Sequence, residues 1–517
     1  MSVLGAIACG HYETAAAAED ILRAGGNAFD AIVAAHFSAC VAEPVLASLG
    51  GGGFLLARTC DGSDIIYDFF AQTPQRKSPA DQLGFYPIHA DFGTTTQEFH
   101  IGPGAIATPG SVKGMFAIQR ELGTMPMTEL VQPAIHLARQ GMRINNFQAY
   151  LFNIIKPILL ATPQARALYA NPRDPTQIMA AGQVLKFTAM ADAMEVLAKE
   201  GDALFYRGEI AQEIVRLCRQ GGGHLTAEDL ANYNVIKRKP LQLNYRGTRI
   251  STNPPPSSGG ILIGFALKLL DSVALDRLEH GSPEHLQLLS QVMALTNKAR
   301  IDAHIDGDSA QLQRLLDEDY LQQYRQQIYQ RSESLRGTTH ISVMDRHGNL
   351  ASMTISNGEG CGHVIPDTDI MLNNMLGEED LNPHGFQQWH TNQRMTSMMA
   401  PSAVLFADGR QMVIGSGGSN RLRTAILQVL VNIIDYGMPV EAAVQHPRIH
   451  HEAGLLSLEQ GLPHATLKTL TETHPHHKLW PELNLFFGGT HCVMQQGNEF
   501  SGTGDPRRGG VALVVEG

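Results

Sequence analysis

Residues 338–360 read TTHISVMDRHGNLASMTISNGEG, two runs of alternating polar and apolar residues on either side of DRHGN at 345–349. A three-residue loop with glycine in its left-handed position is a common hairpin connection. If residues 346–348 form that loop, Asp345 pairs with Asn349 and the two runs become antiparallel strands. Because side chains alternate between the faces of a strand, this register predicts one polar face and one apolar face. The polar face would hold Thr338, His340, Ser342, Ser352, Thr354 and Ser356, and the apolar face Ile341, Val343, Ala351, Met353 and Ile355.

The polar face of this hairpin has two interpretations. A half-buried hairpin commonly exposes such a face to water, which would give it no chemical role. Alternatively the face carries chemistry, because the register sets the Thr338 hydroxyl directly opposite the Ser356 hydroxyl. The rest of the chain favours the second interpretation.

Eight further segments are distributed along almost the whole chain. They are GGNAFDAIVAA (25–35), SLGGGGFLL (48–56), ATPGSVKGMF (107–116), GTMPMTELVQPAIHLARQG (123–141), NPPPSSGG (253–260), MLNN (371–374), GSGGSNR (415–421) and HPRIHHE (446–452). Together with TTHISVMDRHGN, and in this order, they resemble the γ-glutamyltranspeptidase family of self-processing N-terminal nucleophile hydrolases.

The resemblance implies an α+β fold, a four-layer αββα sandwich in which two stacked, mainly antiparallel sheets are flanked by helices. It also implies that the bond between Gly337 and Thr338 is cut. Residues 1–337 would become a large subunit and residues 338–517 a small subunit, and both parts would stay associated in one sandwich. We therefore expect a processing site inside one fold and not a linker between domains.

A threonine at the start of a new chain suits amide cleavage. The freed α-amine, with a pKa of about 8, can accept the hydroxyl proton near neutral pH. In the implied reaction Thr338 first attacks the carbonyl of Gly337, where glycine permits unusual backbone conformations. The mature enzyme would then attack a γ-glutamyl-type amide of a glutathione-like donor, and water or an amine acceptor would resolve the acyl-enzyme. We expect no cofactor and no metal.

Three hydroxyl residues are implied to serve this nucleophile. Ser356 matches the family position whose hydroxyl hydrogen-bonds the nucleophile, in agreement with the hairpin register. Thr339 and Thr354 match neighbouring hydroxyl positions of the same motif, although the preference of threonine for strands explains them equally well.

The segment GSGGSNR is the expected oxyanion hole, because preorganised N–H donors stabilise an oxyanion and glycine lets the backbone come close. Gly417 and Gly418 resemble the glycine pair of the family. The commoner family pattern GSPGGSR would instead align Gly418 and Ser419, so both alignments stay open. The glycine run at 48–54 is predicted to be structural, since no Gly-Lys-Ser/Thr follows it. DPRR at 505–508 is likewise interpreted as a structural turn.

Substrate recognition is where this chain departs from the family pattern. Enzymes that act on γ-glutamyl groups hold the α-carboxylate with an arginine in an Asp-Phe-Arg-Glu or Asp-Ala-Arg-Glu segment, and Phe70 stands in that place here. Phenylalanine cannot make the charge-assisted contact. The serine pair of the family is reduced to Ser397 followed by Met398. The acid that binds the α-amine is shifted to Glu378 or Glu379.

Two questions about the pocket stay open from the sequence. Asn357 matches the family's asparagine near the amine if two residues are deleted after Ser356. Arg394, Arg421 and Arg76 are candidate replacements for the missing arginine, although a surface or ion-pair role explains each of them as well.

Three functions are compatible with these residues. The first is a γ-glutamyl hydrolase or transpeptidase, favoured by the overall resemblance. The second is a related amidohydrolase or acylase with another acyl group, favoured by Phe70. The third is an uncleaved binding scaffold without catalysis, which Gly337-Thr338 and Ser356 argue against.

Composition and charge limit the classes of binding partner that we expect. Hydrophobic residues make up 43% and charged residues 17% of the chain, which is typical of a globular protein. The net charge of −11 is spread without a basic stripe, which argues against nucleic acid and anionic membranes. A small-molecule amide is the expected partner, and a homo-oligomer is left open. The six cysteines contain no CxxC and the N-terminus shows no signal-peptide pattern, so a reduced, cytoplasmic protein is expected.

Periodicity predicts the elements around the hairpin. Helices are expected over 14–24, 28–41, 132–140, 189–199 and 426–434. Strands are expected over 54–58, 65–69, 338–344, 350–356, 403–406 and 511–515. In the second helix, a core-facing stripe is predicted from Phe29, Ile32, Val33, His36, Phe37 and Cys40.

Overall fold

The computed structural model describes residues 2–91, 96–271, 273–302, 314–325, 338–382 and 385–517. Gly337, and with it the bond expected to be cut, lies outside the described residues. The strands are β1 (Val3–Cys9), β2 (Gly52–Arg58), β3 (Asp64–Phe69), β4 (Tyr86–Asp91), β5 (Thr96–Ile101), β6 (Met142–Arg143), β7 (Ala170–Asn171), β8 (Asp174–Ile178), β9 (Val184–Leu185), β10 (Ile236–Arg238), β11 (Leu241–Tyr245), β12 (Thr248–Thr252), β13 (Thr339–Asp345), β14 (Leu350–Ser356), β15 (Ser402–Leu405), β16 (Gln411–Gly417), β17 (Ile449–Glu452), β18 (Leu455–Glu459), β19 (His477–Trp480), β20 (Gly489–Gln496), β21 (Glu499–Thr503) and β22 (Val511–Glu516). The helices are α1 (Tyr12–Arg23), α2 (Ala28–Ala42), α3 (Ser111–Leu122), α4 (Met127–Leu130), α5 (Gln132–Gln140), α6 (Asn146–Ile154), α7 (Lys156–Leu159), α8 (Pro163–Tyr169), α9 (Thr188–Glu200), α10 (Ala203–Tyr206), α11 (Glu209–Gly221), α12 (Ala227–Ala231), α13 (Gly259–Asp271), α14 (Pro283–Asp302), α15 (Glu318–Arg325), α16 (Arg421–Ile434), α17 (Val440–Gln445) and α18 (His464–Thr473).

Two antiparallel sheets form the centre of the fold. Within the described ranges, the first sheet has the strand order β10-β3-β2-β14-β13-β1-β22 and the second has the order β11-β12-β15-β16-β20-β21. Strand β13 packs on β16 and β20 of the other sheet, so the two sheets are stacked face to face. Helix α2 covers the outer face of the first sheet at β13, and α16 covers the second at β16. The expected four-layer αββα sandwich is confirmed.

Helix α2 is buried on every side, which corrects the predicted single stripe. All of its residues are buried, because it lies between β13 on one side and α1, α3 and α5 on the other. A capping box between Asn27 and Asp30 starts the helix. The hairpin residues Ile341, Val343 and Met353 belong to the same core. The 3.6-residue period marks the face toward the sheet but carries no information about the outer helices.

The hairpin of β13 and β14 has the predicted register. Thr339 pairs with Ile355 at its open end. At the other end the N–H of Asp345 donates to the carbonyl of Asn349 (3.1 Å). Gly348 has a φ of 89°, the left-handed conformation that this turn requires.

The polar face of the hairpin is buried between the two sheets, so the interpretation as a solvated face is wrong. His340, Ser342 and Thr354 have no exposed surface. Nδ1 of His340 lies 2.8 Å from the Thr354 hydroxyl and Nε2 lies 3.0 Å from the Ser342 hydroxyl. Ser352 donates to the carbonyl of Ile414 in β16 (3.1 Å). Burial lowers the pKa of His340, which keeps the imidazole neutral between these hydroxyls.

Three further features of the described residues bear on function. The cysteines are free thiols, all buried except Cys60. No described helix combines the length and the apolar character needed to cross a membrane. The described residues also contain no group of three or more His, Cys, Asp or Glu placed to hold a metal ion.

Candidate active site

A cavity opens at the end of the hairpin, and Thr338 and Ser356 both line it. Its empty volume is about 380 Å³, which includes open solvent. The lining residues are Phe70, Thr338, Ser356, Glu378, Asp380, Leu381, Ser397, Met398, Met399, Ser419 and Leu422. The sequence predicts seven of them as site residues and misses Asp380, Leu381, Met399 and Leu422.

Thr338 lies immediately before β13 with 6% of its surface exposed. Its carbonyl accepts a hydrogen bond from Nη1 of Arg508 (3.0 Å). The end of β16 approaches from the second sheet, so closely that a Cβ at Gly417 would lie 2.0 Å from the carbonyl oxygen of Thr338. Position 417 therefore requires glycine, and the Thr338 backbone is fixed against the second sheet.

Ser356 ends β14 and lines the cavity together with Thr338. Its hydroxyl oxygen accepts a hydrogen bond from the N–H of Gly358 (3.0 Å). Thr354, on the same face, is bonded to His340 and is not among the lining residues. Asn357 is buried and also lies outside the lining. The structure thus places Ser356 and Thr338 in the lining of one cavity and leaves Thr354 and Asn357 outside that lining.

The glycine run before and within β2 is structural, as predicted. A Cβ at Gly51 would lie 2.4 Å from the carbonyl oxygen of Ser356, and one at Gly53 would lie 2.4 Å from that of Thr354. Glycine is needed here because β2 packs edge to edge against the end of β14 that carries Ser356.

Thr339 lies on the hairpin face opposite to the cavity. Its hydroxyl donates to Oε2 of Glu43 (2.7 Å), and the Thr14 hydroxyl donates to Oε1 of the same carboxylate (2.9 Å). Burial raises the pKa of Glu43, whereas the two hydroxyls and the charge of Arg508 oppose the rise. Thr339 therefore supports the strand end from behind. The sequence does not predict Glu43 as a site residue. The one local feature that could have pointed to it is an acidic residue directly after an apolar helix.

The GSGGSNR segment forms the turn from β16 into α16. Gly418 has a φ of 122° and Ser419 a φ of 50°, both in the region that favours glycine. The N–H of Arg421 donates to the carbonyl of Gly418 (3.1 Å) and closes the turn. Ser419 lines the cavity, and Gly417 touches Thr338. Both alignments of the oxyanion hole stay predictions, and the turn lies where either would act.

The acidic loop places two carboxylates in the cavity wall. Glu378 lines the cavity and is 5% exposed, whereas Glu379 is exposed and lies outside the lining. Asp380 accepts a hydrogen bond from the hydroxyl of Ser419 (2.9 Å). Of the two predicted acids, only Glu378 therefore lines the cavity. Asp380, which the sequence does not predict, lines it as well.

Ser397 and Met398 lie in a loop that the NPPPSSGG segment holds in place. The Ser397 carbonyl accepts a hydrogen bond from the N–H of Ser258 (2.8 Å). A Cβ at Gly259 would lie 1.9 Å from the carbonyl oxygen of Met398. The Ser397 hydroxyl accepts a hydrogen bond from the N–H of Met399 (3.0 Å), so it also orders its own loop.

Phe70 lies in the cavity wall, stacked on Phe54 with 5.4 Å between ring centroids. Its carbonyl accepts hydrogen bonds from the Tyr233 hydroxyl (2.7 Å) and from the guanidinium of Arg394. Nε of Arg394 lies 3.6 Å from Asp68. These contacts fix the backbone of Phe70 and hold its ring in the wall.

The three candidate replacement arginines are all placed outside the cavity lining. Arg394 is bound beneath Phe70. Arg421 donates to the carbonyl of Phe486 (3.1 Å). Arg76 is exposed on the surface. The described part of the lining contains no arginine or lysine, so it offers two carboxylates but no cation to a substrate carboxylate.

The two arginines of the DPRR turn make structural contacts in different places. Arg507 pairs with Glu459 and with Asp505 (3.2 Å) inside the fold, as a structural residue would. Arg508 instead reaches the carbonyl of Thr338. Burial lowers the pKa of Arg508 to about 10, which leaves the guanidinium charged at neutral pH.

The chain resembles characterised proteins over almost its whole length. The sequence model of the Gamma-glutamyltranspeptidase family matches residues 14–515. A glutathione hydrolase proenzyme from Escherichia coli (strain K12) is 31% identical over 520 residues, covering 94% of this chain and 88% of the relative. An acylase ACY 1 proenzyme from Pseudomonas sp. (strain SE83) is 30% identical over 492 residues, covering 90% and 86%. The solved cephalosporin acylase from Bacillus halodurans has the same fold, with a TM-score of 0.85 over 100% of this chain and 96% of that one, at 23% identity.

Proposed function

Because this chain belongs to the γ-glutamyltranspeptidase family of hydrolases, we propose that it is a self-processing amide hydrolase whose nucleophile is Thr338. One observation carries the proposal. Thr338 and Ser356 flank the first pair of the ladder, Thr339 and Ile355, and line one cavity, at the point where Gly417 and Arg508 fix the Thr338 backbone. A preorganised hydroxyl at the start of a strand is what acyl transfer by an N-terminal nucleophile needs.

The first stage is self-cleavage. The Thr338 hydroxyl loses its proton and attacks the carbonyl carbon of Gly337, and the C–N bond of that peptide breaks as the nitrogen takes up a proton. The resulting ester links Gly337 to the Thr338 oxygen. Water hydrolyses the ester, which frees the carboxylate of Gly337 and the α-amine of Thr338. The large subunit 1–337 and the small subunit 338–517 are part of this proposal.

The second stage uses the freed α-amine as the general base. It accepts the Thr338 hydroxyl proton as the oxygen attacks a substrate amide. The leaving amine takes the proton, and an acyl ester remains on Thr338. Ser356 donates or accepts a hydrogen bond at the nucleophile, and the turn at 417–419 stabilises the oxyanion. Water or an acceptor amine then releases the acyl group.

The donor we propose first is a γ-glutamyl amide of the glutathione type. The relative from Escherichia coli is named a glutathione hydrolase proenzyme, which supports both the donor and the self-cleavage. Glu378 in the cavity wall suits the α-ammonium of such a donor. The cytoplasmic location remains a prediction from the sequence.

The test of the nucleophile is the denatured mass of freshly purified protein beside Thr338→Ala. The 56.2 kDa chain should give pieces of roughly 37 and 20 kDa if it cuts itself before Thr338. Thr338→Ala should stay whole and inactive. An uncut wild-type chain that is nevertheless folded would refute self-processing and favour the binding-scaffold function.

A second candidate function is an acylase for acyl groups without an α-carboxylate. Phe70 in the wall and the lack of a cation in the described lining favour it, and a relative named an acylase supports it. The p-nitroanilides of γ-glutamate, glutarate and 4-aminobutyrate separate the candidates. If Phe70 has removed carboxylate recognition, the 4-aminobutyryl anilide should be turned over at least as well as the other two. A clear preference for the γ-glutamyl anilide would refute this candidate.

A further inference from the structure

A buried carboxylate lies behind the proposed nucleophile. Glu43 follows α2 directly and is 6% exposed. Its Oε2 accepts a hydrogen bond from the Thr339 hydroxyl (2.7 Å), and its Oε1 accepts one from the Thr14 hydroxyl (2.9 Å). The carboxylate has room because residue 10 is a glycine, since a Cβ there would lie 2.2 Å from Oε2. The side chain is therefore held in one place by contacts on both oxygens.

This carboxylate does not belong to the substrate cavity. Glu43 lines a separate small cavity on the other side of β13, with His11, Pro44, Phe147 and Phe152 among its walls. The proposed nucleophile is linked to it through the next residue, Thr339, and through Arg508, which bonds the Thr338 carbonyl. Glu43 can therefore affect the reaction only by changing where the strand end places Thr338.

The strand end at Thr338 is also held from the other sheet and by Arg508. The paired ladder of β13 and β14 begins one residue later, at Thr339 and Ile355. Arg508 holds the Thr338 carbonyl (3.0 Å), and its charge also acts on the Glu43 carboxylate. The Thr339 hydroxyl, on the residue next to Thr338, is hydrogen-bonded to Glu43 at 2.7 Å. The bond from Thr339 is therefore a further restraint on the backbone next to the nucleophile.

We infer that Glu43 is a positioning residue for Thr338, acting through the Thr339 hydroxyl and touching neither the substrate nor the reacting atoms. The inference rests on the proposed function, because it assumes that Thr338 is the nucleophile. A displacement of about 1 Å at a reacting oxygen can slow an enzyme about 10²-fold. Loss of the restraint should therefore slow the chemical step in both self-cleavage and turnover and leave substrate binding little changed.

The two threonines on Glu43 provide a matched pair of variants. Thr339→Val removes the hydroxyl on the nucleophile strand, and Thr14→Val removes the hydroxyl on α1 from the same carboxylate. Self-cleavage is followed on denaturing gels, and kcat and KM are measured with γ-glutamyl p-nitroanilide. We expect Thr339→Val and Glu43→Gln to slow self-cleavage and to lower kcat about 10- to 100-fold, with KM changed less than about threefold. Thr14→Val should stay within about threefold of the wild type in both rates.

Two further variants distinguish positioning from a general loss of stability. Thr339→Ser keeps the hydroxyl and should recover most of the rate. The double variant Glu43→Gln/Thr339→Val should be no slower than the slower single variant, because both changes break one contact. Circular dichroism and the thermal midpoint show whether each variant is folded.

The inference is overturned if Thr14→Val and Thr339→Val slow the enzyme equally, or if the losses add in the double variant. Near-normal rates in Thr339→Val would overturn it as well. Failure of the proposed function has a different signature, which is retained cleavage or turnover in Thr338→Ala. If Glu43→Gln does not fold, the comparison of Thr339→Val, Thr339→Ser and Thr14→Val still decides the question.

Discussion

Gly417→Ala is the sharpest test of how the fold places Thr338. Gly417 ends β16 and its φ lies outside the left-handed region, so alanine can adopt its backbone conformation. The added Cβ would nevertheless lie 2.0 Å from the carbonyl oxygen of Thr338 and 2.9 Å from its carbonyl carbon. Non-bonded heavy atoms settle at roughly 3.5 Å or more. One of the two backbones must therefore move by about 1 Å or more.

The Thr338 side of this contact is the one that should yield. Strand β16 pairs with β15 over residues 411–414 and with β20 as far as Gly417 itself, so its end resists a shift. Thr338 precedes its ladder and is held at its carbonyl by Arg508. A displacement of about 1 Å corresponds to a loss of about 10²-fold in rate. Overpacking should also destabilise the protein by about 1–3 kcal/mol.

The assay is the rate of self-cleavage together with kcat for γ-glutamyl p-nitroanilide, beside denaturant unfolding of each variant. The matched control is Gly264→Ala in α13, whose new Cβ would meet Leu243 side-chain atoms at 2.8 and 2.9 Å. Leucine can rotate away, and alanine favours a helix by about 1 kcal/mol over glycine. The control should therefore keep wild-type rates. Wild-type cleavage and turnover in Gly417→Ala would refute the reasoning that β16 fixes the nucleophile.

The remaining predictions concern the cavity wall and a buried ion pair. Phe70→Arg should lower KM for γ-glutamyl p-nitroanilide about tenfold or more relative to KM for the 4-aminobutyryl anilide, since a charged hydrogen bond contributes about 1.5–3 kcal/mol. Phe70→Leu is the control. Equal changes of KM in both variants would contradict the prediction. Burial by itself would raise the pKa of Glu452, but Arg423 (2.9 Å) and His450 (3.1 Å) bring it down to about 2. The stability that Glu452 contributes should thus be present above about pH 4.5 and lost as the pH falls toward 2, in total about 3 kcal/mol. Urea unfolding of the wild type and Glu452→Gln should show a gap that narrows between pH 6 and pH 3, and a constant gap would contradict the assignment.

The hairpin shows how far local sequence determines this fold. Alternation and the left-handed glycine at 348 are properties of neighbouring residues, and they predict the register that the structure has. Whether the polar face is exposed to solvent cannot be decided from neighbouring residues in the sequence. The second sheet decides it, because β16 and β20 cover His340 and its hydroxyl partners. Helix α2 behaves likewise, since its period predicts one apolar face and the outer helices bury the other.

In the candidate site, too, some residues can be identified from the sequence and others only from the tertiary structure. Thr338, Ser356, Phe70 and Ser397 stand in recognisable motifs, and the sequence by itself identifies them and the fold that carries them. The supports of the nucleophile were decided only by the tertiary structure. Glu43 reaches Thr339 across 296 positions and Arg508 reaches Thr338 across 170. No local pattern encodes such contacts, because they exist only once the two sheets and α2 have packed around the strand end.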